Sequence, residues 1–356
     1  MSILFRDLLK KVGSGNHTGE NLTRAEAAKA TKMMLLGEAT PAQIGAFLIA
    51  HRIKRPTGEE LAGMLDAYEE LGPKLHPINS TRQVIVFGQP YDGRTRTAPI
   101  SPVTALILAT VGQPVIMHGG DRLPTKYGLP LAEIWQGLGV DWTTLSLPKT
   151  QAVFEQTGIG FVYTPQHFPL TKSIWEYRDQ IGKRPPLATM ELIWCPYAGD
   201  AHVIAGFVHP PTEAMFKVAL GLRGVTNFTL VKGLEGSSDL PRDRTAIIAL
   251  SKSPQEIERL LLSPNDYGFT TKNVALNSPE ELLTEMRKVL AGNTSELQQT
   301  ALWNGGFYLW RSGICPDMRS GIAKAQELLT TGAVANKLQE LSQVVPIQNS
   351  KFKIQN

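Results

Sequence analysis

The sequence predicts an α/β protein, with a small N-terminal helical domain followed by a larger α/β domain built on a mainly parallel sheet. Three observations carry that reading. Residues 23–71 contain three helix-start signals in succession, and residues 84–231 contain short β-branched runs separated by helical patterns. A proline-containing connector from Lys74 to Arg82 divides the two regimes. The boundaries that follow are 1–76 for the helical domain, with helices near 166–186 as candidates to join it, and 80–345 for the α/β domain.

The helical part is predicted by its caps. Thr23-Arg-Ala-Glu26, Thr40-Pro-Ala-Gln43 and Thr57-Gly-Glu-Glu60 each read as a capping box, in which a threonine hydroxyl and a Glu or Gln three residues later satisfy orphan amides reciprocally. Pro41 sits at a first helical position, where its missing N–H costs nothing, and Gly37 stops the first of the three helices. The second helix predicts an apolar face of Ile44, Phe47, Leu48 and Ile53, with small Ala42, Gly45, Ala46 and Ala50 permitting close packing or a dimer surface. Its basic end, Arg52-Ile-Lys54-Arg55, reads either as a solvated terminus favoured by the helix dipole or as part of a ligand site.

The α/β part is predicted by five strand candidates: Val84–Phe87, Pro114–Met117, Gly160–Tyr163, Val203–Val208 and Phe228–Val231. Helical stretches between several of them imply βαβ units and an open parallel sheet, which binds ligands beyond the carboxyl ends of its strands. Two strand-to-helix loops stand out there. One runs from Gly88 through Asp92, Gly93, Arg94 and Arg96 to Ser101-Pro102, read as an N-cap and first helical residue. The other runs from His118 and Gly119 through Asp121, Arg122 and Lys126 to Gly128. Glycines, hydroxyls and cations near a helix N-terminus suit a phosphate, although the same glycines serve turns and the same cations serve solubility.

Composition narrows the class. The 356 residues are 42% hydrophobic and 19% charged, with a formal net charge of +4, which fits a folded chain with an anionic ligand and falls short of a dedicated nucleic-acid arm. Cys195 and Cys315 are far apart and make no metal-ligand or redox spacing. The N-terminus lacks a signal-peptide layout and no apolar run is long enough for a membrane span, so a cytoplasmic protein with no membrane partner is expected.

The segments Leu22–Glu26 and Gly37–Lys54, with Pro264-Asn-Asp-Tyr-Gly268, Asn304-Gly-Gly306 and Gly321–Gly332, resemble the anthranilate phosphoribosyltransferase family over nearly the whole chain. The resemblance implies the nucleoside phosphorylase/phosphoribosyltransferase type of fold and a homodimer through the helical part. It also implies phosphoribosyl pyrophosphate and Mg2+ in the cleft, and a place in tryptophan biosynthesis. By the same resemblance Gly88, Asp92, Gly93, Ser101, His118, Gly119, Arg122 and Lys126 surround phosphate and ribose, with Arg94 and Arg96 beside them. Glu235 or Asp239 would hold the metal and Arg178 would face the acceptor. The motifs differ from the family's at definite places. The loop reads Gly88-Gln-Pro-Tyr-Asp92-Gly93 where the family has G-T-G-G-D-G, so Pro90 brings no amide and Tyr91 adds bulk. Met117-His118-Gly119-Gly120-Asp121 stands for K-H-G-N-R, and Glu235-Gly236 keeps one carboxylate of an acidic pair.

Two functions therefore remain open on the sequence. One is transfer of a phosphoribosyl group from phosphoribosyl pyrophosphate to an aromatic or other nitrogen acceptor. The other is a catalytically lapsed paralogue that binds single-stranded nucleic acid through a basic cleft. In that reading Tyr91-Asp-Gly-Arg94 and Arg96 supply an aromatic flanked by arginines.

Overall fold

The computed structural model describes residues 2–15, 17–251 and 256–347. Four helices form the N-terminal unit: α1 (Ile3–Gly13), α2 (Arg24–Leu35), α3 (Pro41–Lys54) and α4 (Gly58–Leu71). All three capping boxes are present, each closing both hydrogen bonds between Thr23 and Glu26, Thr40 and Gln43, and Thr57 and Glu60. Such a cap is worth about 1 kcal/mol, enough to fix where each helix begins. On α3, Ile44, Phe47, Leu48 and His51 face inward, whereas Ile53 is 66% exposed and does not belong to the apolar face predicted for it. The helical period explains the difference, because the last turn places His51 rather than Ile53 in line with Ile44, Phe47 and Leu48.

The body is a seven-stranded sheet: β1 (Val84–Phe87), β2 (Val115–Gly119), β3 (Ile159–Tyr163), β4 (Ala201–Gly206), β5 (Phe228–Val231), β6 (Ala246–Ser251) and β7 (Ile257–Leu262). Their order is β3-β2-β1-β4-β5-β6-β7. The first five strands are parallel, and β6 and β7 add an antiparallel edge that the strand candidates did not include. The chain steps outward from β1 to β3 and returns to β4 on the other side of β1, so the switch point lies between β1 and β4. Loops that leave neighbouring strands in opposite directions open a crevice at such a point.

The helical unit is fastened to this sheet by charge and by close contact. Asp66 on α4 accepts from Arg24 Nε at 2.5 Å and pairs with Arg223, while Arg24 Nη1 donates to the Leu222 carbonyl at 2.8 Å. A side chain at Gly58 would bring its Cβ within 2.4 Å of Val218 Cβ, so glycine lets α4 begin against the Pro210–Leu222 helix. The helix Lys172–Gln180 also joins the unit, with the Ser173 hydroxyl donating to the carbonyls of Met34 and Leu35. Among the described residues no helix is long and apolar enough to cross a membrane.

Glu60 ties α4 to α2 and α3 from a fully buried position. Its carboxylate accepts from the amides of Leu22 at 2.8 Å and Thr57 at 2.7 Å, and meets Lys54 Nζ at 2.9 Å and His51 Nε2 at 3.3 Å. Burial opposes its charge, but these partners win and hold its pKa down to about 2. A carboxyl with a depressed folded-state pKa stabilises the fold above its unfolded pKa, and that contribution is lost as pH falls toward the folded value. Glu60→Gln should therefore destabilise the protein by roughly 3 kcal/mol at neutral pH. In urea denaturation run across a pH series, the gap between variant and wild type should narrow between about pH 5 and pH 2.

Candidate functional site

The loop after β1 is shaped by packing. A Cβ at Gly88 would lie 1.8 Å from the Leu192 carbonyl oxygen, so this glycine is required by a backbone crossing. Gly93, at φ 73°, turns the chain against the Gly128 carbonyl, where a Cβ would approach to 2.4 Å. The two loops singled out in the sequence are thereby stitched together, with Arg94 N donating to Leu129 O and Leu129 N to Arg94 O.

Between these glycines Tyr91 turns inward, and its hydroxyl meets His118 Nδ1 at 2.5 Å. The His118 ring packs edge-on against Tyr91 and Trp194, and burial pushes its pKa down to about 3, so it is a neutral imidazole. His118 therefore sits in an aromatic wall and not on a phosphate, because Tyr91 covers it. Gly119 ends β2 beside it, with room for a Cβ 3.7 Å from the nearest atom, a ring carbon of Phe161. Asp92 is also buried and lies 3.4 Å from Arg184 Nε.

The centre of the site is an ion cluster. Arg94, 3% exposed, places Nε 3.3 Å from Glu235 Oε1 and Nη1 2.9 Å from Asp239 Oδ2, and Nη1 also donates to Ser237 Oγ at 2.7 Å. Glu235 further accepts from the backbone amides of Thr95, Arg96 and Thr97 at 3.2, 3.0 and 3.0 Å, and from the hydroxyls of Thr95 and Thr97 at 3.3 and 2.9 Å. Lys126 Nζ approaches to 3.5 Å and Arg96 Nε to 3.8 Å. The Arg94 charge and these amides hold the Glu235 pKa down to about 2 against burial. Asp239 is more deeply buried, and burial pushes its carboxyl up even though Arg94 and the Ile100 amide favour its ionised form.

This arrangement decides the metal question for these residues. A carboxylate offers about four lone-pair sites, and those of Glu235 already face amides, hydroxyls and a guanidinium. Asp239 Oδ2 is shared between Arg94 and the Ile100 amide. The pair predicted to hold Mg2+ does not fit it, because an internal cation lies between the two carboxylates. No cluster of three or more metal-ligating side chains occurs among the described residues.

Other predicted residues are drawn into separate contacts. Ser101 is the first residue of the Ser101–Thr110 helix, not its N-cap, and its buried hydroxyl has no partner. Asp239 takes the capping role through the Ile100 amide. Arg122 forms a two-pronged pair with Glu133 at 2.7 Å and lies at the surface. Arg178 is buried against Glu191, which the Tyr68 hydroxyl also meets at 3.4 Å, and while Nη2 pairs with that carboxylate, Nε and Nη1 are buried without a partner. Arg96 and Lys126 remain open, with side chains 76% and 26% exposed. Reading the sequence missed Thr95, Thr97, Arg184 and Glu191. The alternation Arg94-Thr95-Arg96-Thr97, which strings four donor side chains together, was the available signal for the first two.

A cavity of about 290 Å3 opens beside the cluster, lined by Arg52, Arg184, Thr189, Phe207, His209 and Gly236. It joins the helical unit to the switch point. A larger groove, about 730 Å3, lies between α1 and α3, away from the strand ends.

Comparison with known proteins places this geometry. Residues 6–72 match the model described as the glycosyl transferase family, helical bundle domain, and residues 92–335 match that family's a/b domain. An anthranilate phosphoribosyltransferase from Acetivibrio thermocellus is 28% identical over 341 residues, covering 94% of this chain and 95% of the relative. One from Albidiferax ferrireducens is 26% identical, covering 86% and 87%. Among solved structures, the anthranilate phosphoribosyltransferase of Thermus thermophilus superposes with a TM-score of 0.79 at 22% identity, covering 95% of this chain and 99% of that one. The Saccharomyces cerevisiae enzyme in complex with PRPP and Mg superposes with a TM-score of 0.81 at 15% identity, covering 97% and 98%. These two share the fold.

The crossing at Gly88 separates packing from ligand approach. Gly88→Ala should cost about 2–3 kcal/mol in urea denaturation, because the added carbon must displace a backbone carbonyl. A glycine serving ligand approach alone would leave stability within about 0.5 kcal/mol of wild type.

Proposed function

Because this chain belongs to the glycosyl transferase family with a helical bundle domain and an a/b domain, we propose that its interdomain cleft binds a phosphate-bearing pentose. In this reading phosphoribosyl pyrophosphate is the donor and the activity is transfer of its pentosyl group to a nitrogen acceptor. The observation that carries the proposal is the charge count at the switch point. Arg94, Arg96 and Lys126 face Glu235 and Asp239, which leaves one positive charge in excess, and two of the three cations reach solvent. The adjoining cavity adds two further cations, Arg52 and Arg184, to the surface an anion would meet.

In the transfer reaction the acceptor nitrogen forms a bond to the anomeric carbon while the bond to the diphosphate oxygen breaks, and the diphosphate leaves with the electron pair. Arg96 and Lys126 would neutralise the charge gathering on that leaving group, an electrostatic contribution that needs no proton transfer from the protein. Tyr91, His118 and Trp194 pack edge-on as a buried aromatic cluster that anchors the loop carrying Arg94 and Arg96. Arg178 pairs with Glu191 through Nη2 alone, and its buried Nε and Nη1 have no partner, which supports an acceptor that presents a hydrogen-bond acceptor group there. A homodimer through the helical unit belongs to the same proposal, supported by the α1/α3 groove and by exposed Ile3, Leu4 and Ile53.

A second reading, a lapsed paralogue holding single-stranded nucleic acid, is favoured by the saturated Glu235 carboxylate, since a site without room for Mg2+ is poorly suited to diphosphate departure. Arg52 and Arg96 are exposed and Arg184 half-buried, cations that could follow a phosphate backbone.

Calorimetric titration of phosphoribosyl pyrophosphate, with magnesium and again with chelator, separates the two. Saturable binding that weakens about tenfold in each of Arg96→Ala and Lys126→Ala supports the pentose reading. Absence of binding, together with single-stranded DNA affinity whose salt slope falls by about 1 for each cation removed, would replace it with the second.

A further inference from the structure

The donors around Glu235 form a complete anion site. Three consecutive amides, those of Thr95, Arg96 and Thr97, point at one carboxylate, as do the hydroxyls of Thr95 and Thr97. Three cations, Arg94, Lys126 and Arg96, lie within 4 Å of it. Successive amides converging on one point are a concavity for a tetrahedral or carboxylate anion, and the cations supply the charge that a phosphate dianion needs. The occupant comes from another part of the chain, about 140 residues later in sequence. It also sits in an unusual backbone state, since Glu235 has φ 54° and ψ 24°, a left-handed conformation that a side chain rarely adopts, and Gly236 follows at φ 83°.

We propose that Glu235 is an internal stand-in for a ligand phosphate: its carboxylate fills the Thr95–Thr97 anion site, and a phosphate group binds there by displacing it. The inference rests on the phosphate-bearing ligand of the preceding section and gives that ligand its place. It assigns Glu235 the opposite role from a metal ligand, as a competitor of the substrate's phosphate. The apparent affinity of the wild-type site is the intrinsic affinity scaled down to the fraction of time the carboxylate leaves it free. Arg94 stays bound to Asp239 when Glu235 leaves, so the emptied site keeps its shape and gains net positive charge.

The two roles predict opposite signs for one substitution. Glu235→Gly removes the carboxylate and suits the left-handed backbone, so the variant should fold. Titrated with inorganic phosphate, it should bind at least about tenfold more tightly than wild type, and adding Arg96→Ala should reverse most of the gain. Unchanged or weaker binding in a folded Glu235→Gly protein would overturn the proposal. Should that variant fail to fold, Glu235→Gln, which keeps the wild-type side-chain size and drops the charge, is read in the same titration, and wild type gives an independent reading. Its Arg96 and Thr97 amide resonances should move on titration with inorganic phosphate and not with an equal ionic strength of chloride, and resonances that stay in place would also overturn the proposal. Titration of wild type with phosphoribosyl pyrophosphate judges the ligand reading separately. Wild type that ignores the sugar diphosphate while Glu235→Gly binds phosphate leaves the stand-in role intact and removes the ligand. Wild type that binds it while the variant loses phosphate does the reverse.

Discussion

The guanidinium of Arg94 is the interaction on which the candidate site depends. It bonds to the β5–β6 connection through Glu235, Ser237 and Asp239, and it extends from a loop anchored at the carboxyl end of β1. A buried guanidinium keeps its charge, so burying it is acceptable only where carboxylates and hydroxyls answer it. That requirement fixes how the two loops meet. It brings the Thr95–Thr97 amides onto Glu235 and leaves Asp239 to cap the Ser101–Thr110 helix. Charge that a metal and a diphosphate could supply to such a crevice is supplied here by the chain.

The same economy recurs in the helical unit and at its junction with the body. Glu60 is answered by Lys54 and two amides beside His51, Asp66 by two arginines, and Arg178 by Glu191. Removing Lys54 from Glu60 or Glu191 from Arg178 leaves an uncompensated buried charge, which costs more than the pair itself contributes, whereas the Asp66 pairs are partly exposed and contribute less. The domains are therefore joined by contacts that require their partners.

Much of the fold was legible in the sequence because its signals are local. A capping box is a four-residue statement, and Thr23, Thr40 and Thr57 each stood three residues before a Glu or Gln. The five parallel strands were legible as β-branched runs because strands buried on both faces have no polar alternation to obscure them. The edge strands β6 and β7 were less visible, since they form an antiparallel pair outside the βαβ alternation and the outer one, with Leu261 toward solvent, lacks the apolar-in, polar-out pattern of an edge strand. The site was legible in outline and not in detail. Gly88, Asp92, Arg94, Glu235 and Asp239 do gather at the switch point, but which charge meets which is a long-range outcome. Nothing near Arg94 in sequence announces a partner about 140 residues away. His118 misled for the same reason, because a His-Gly at a strand end suits a ligand until Tyr91 and Trp194 close over it.

The antiparallel turn of the sheet at β6 has one more implication. The segment between β5 and β6 leaves and re-enters the sheet at the same end, with Val231 paired to Ile248 and Lys232 N bonded to Ile247 O. It is a closed excursion anchored by two adjacent strands, with no long helix in its path. Yet it is buried and bonded outward: Leu240 N donates to Asn304 Oδ1 at 2.8 Å, the Tyr308 hydroxyl donates to the Ser238 carbonyl at 2.6 Å, and Asp239 holds the Ile100 amide. A change of charge in this short excursion is therefore passed directly to the Glu296–Arg311 and Ser101–Thr110 helices, so the chemistry of the crevice and the packing of the body change together.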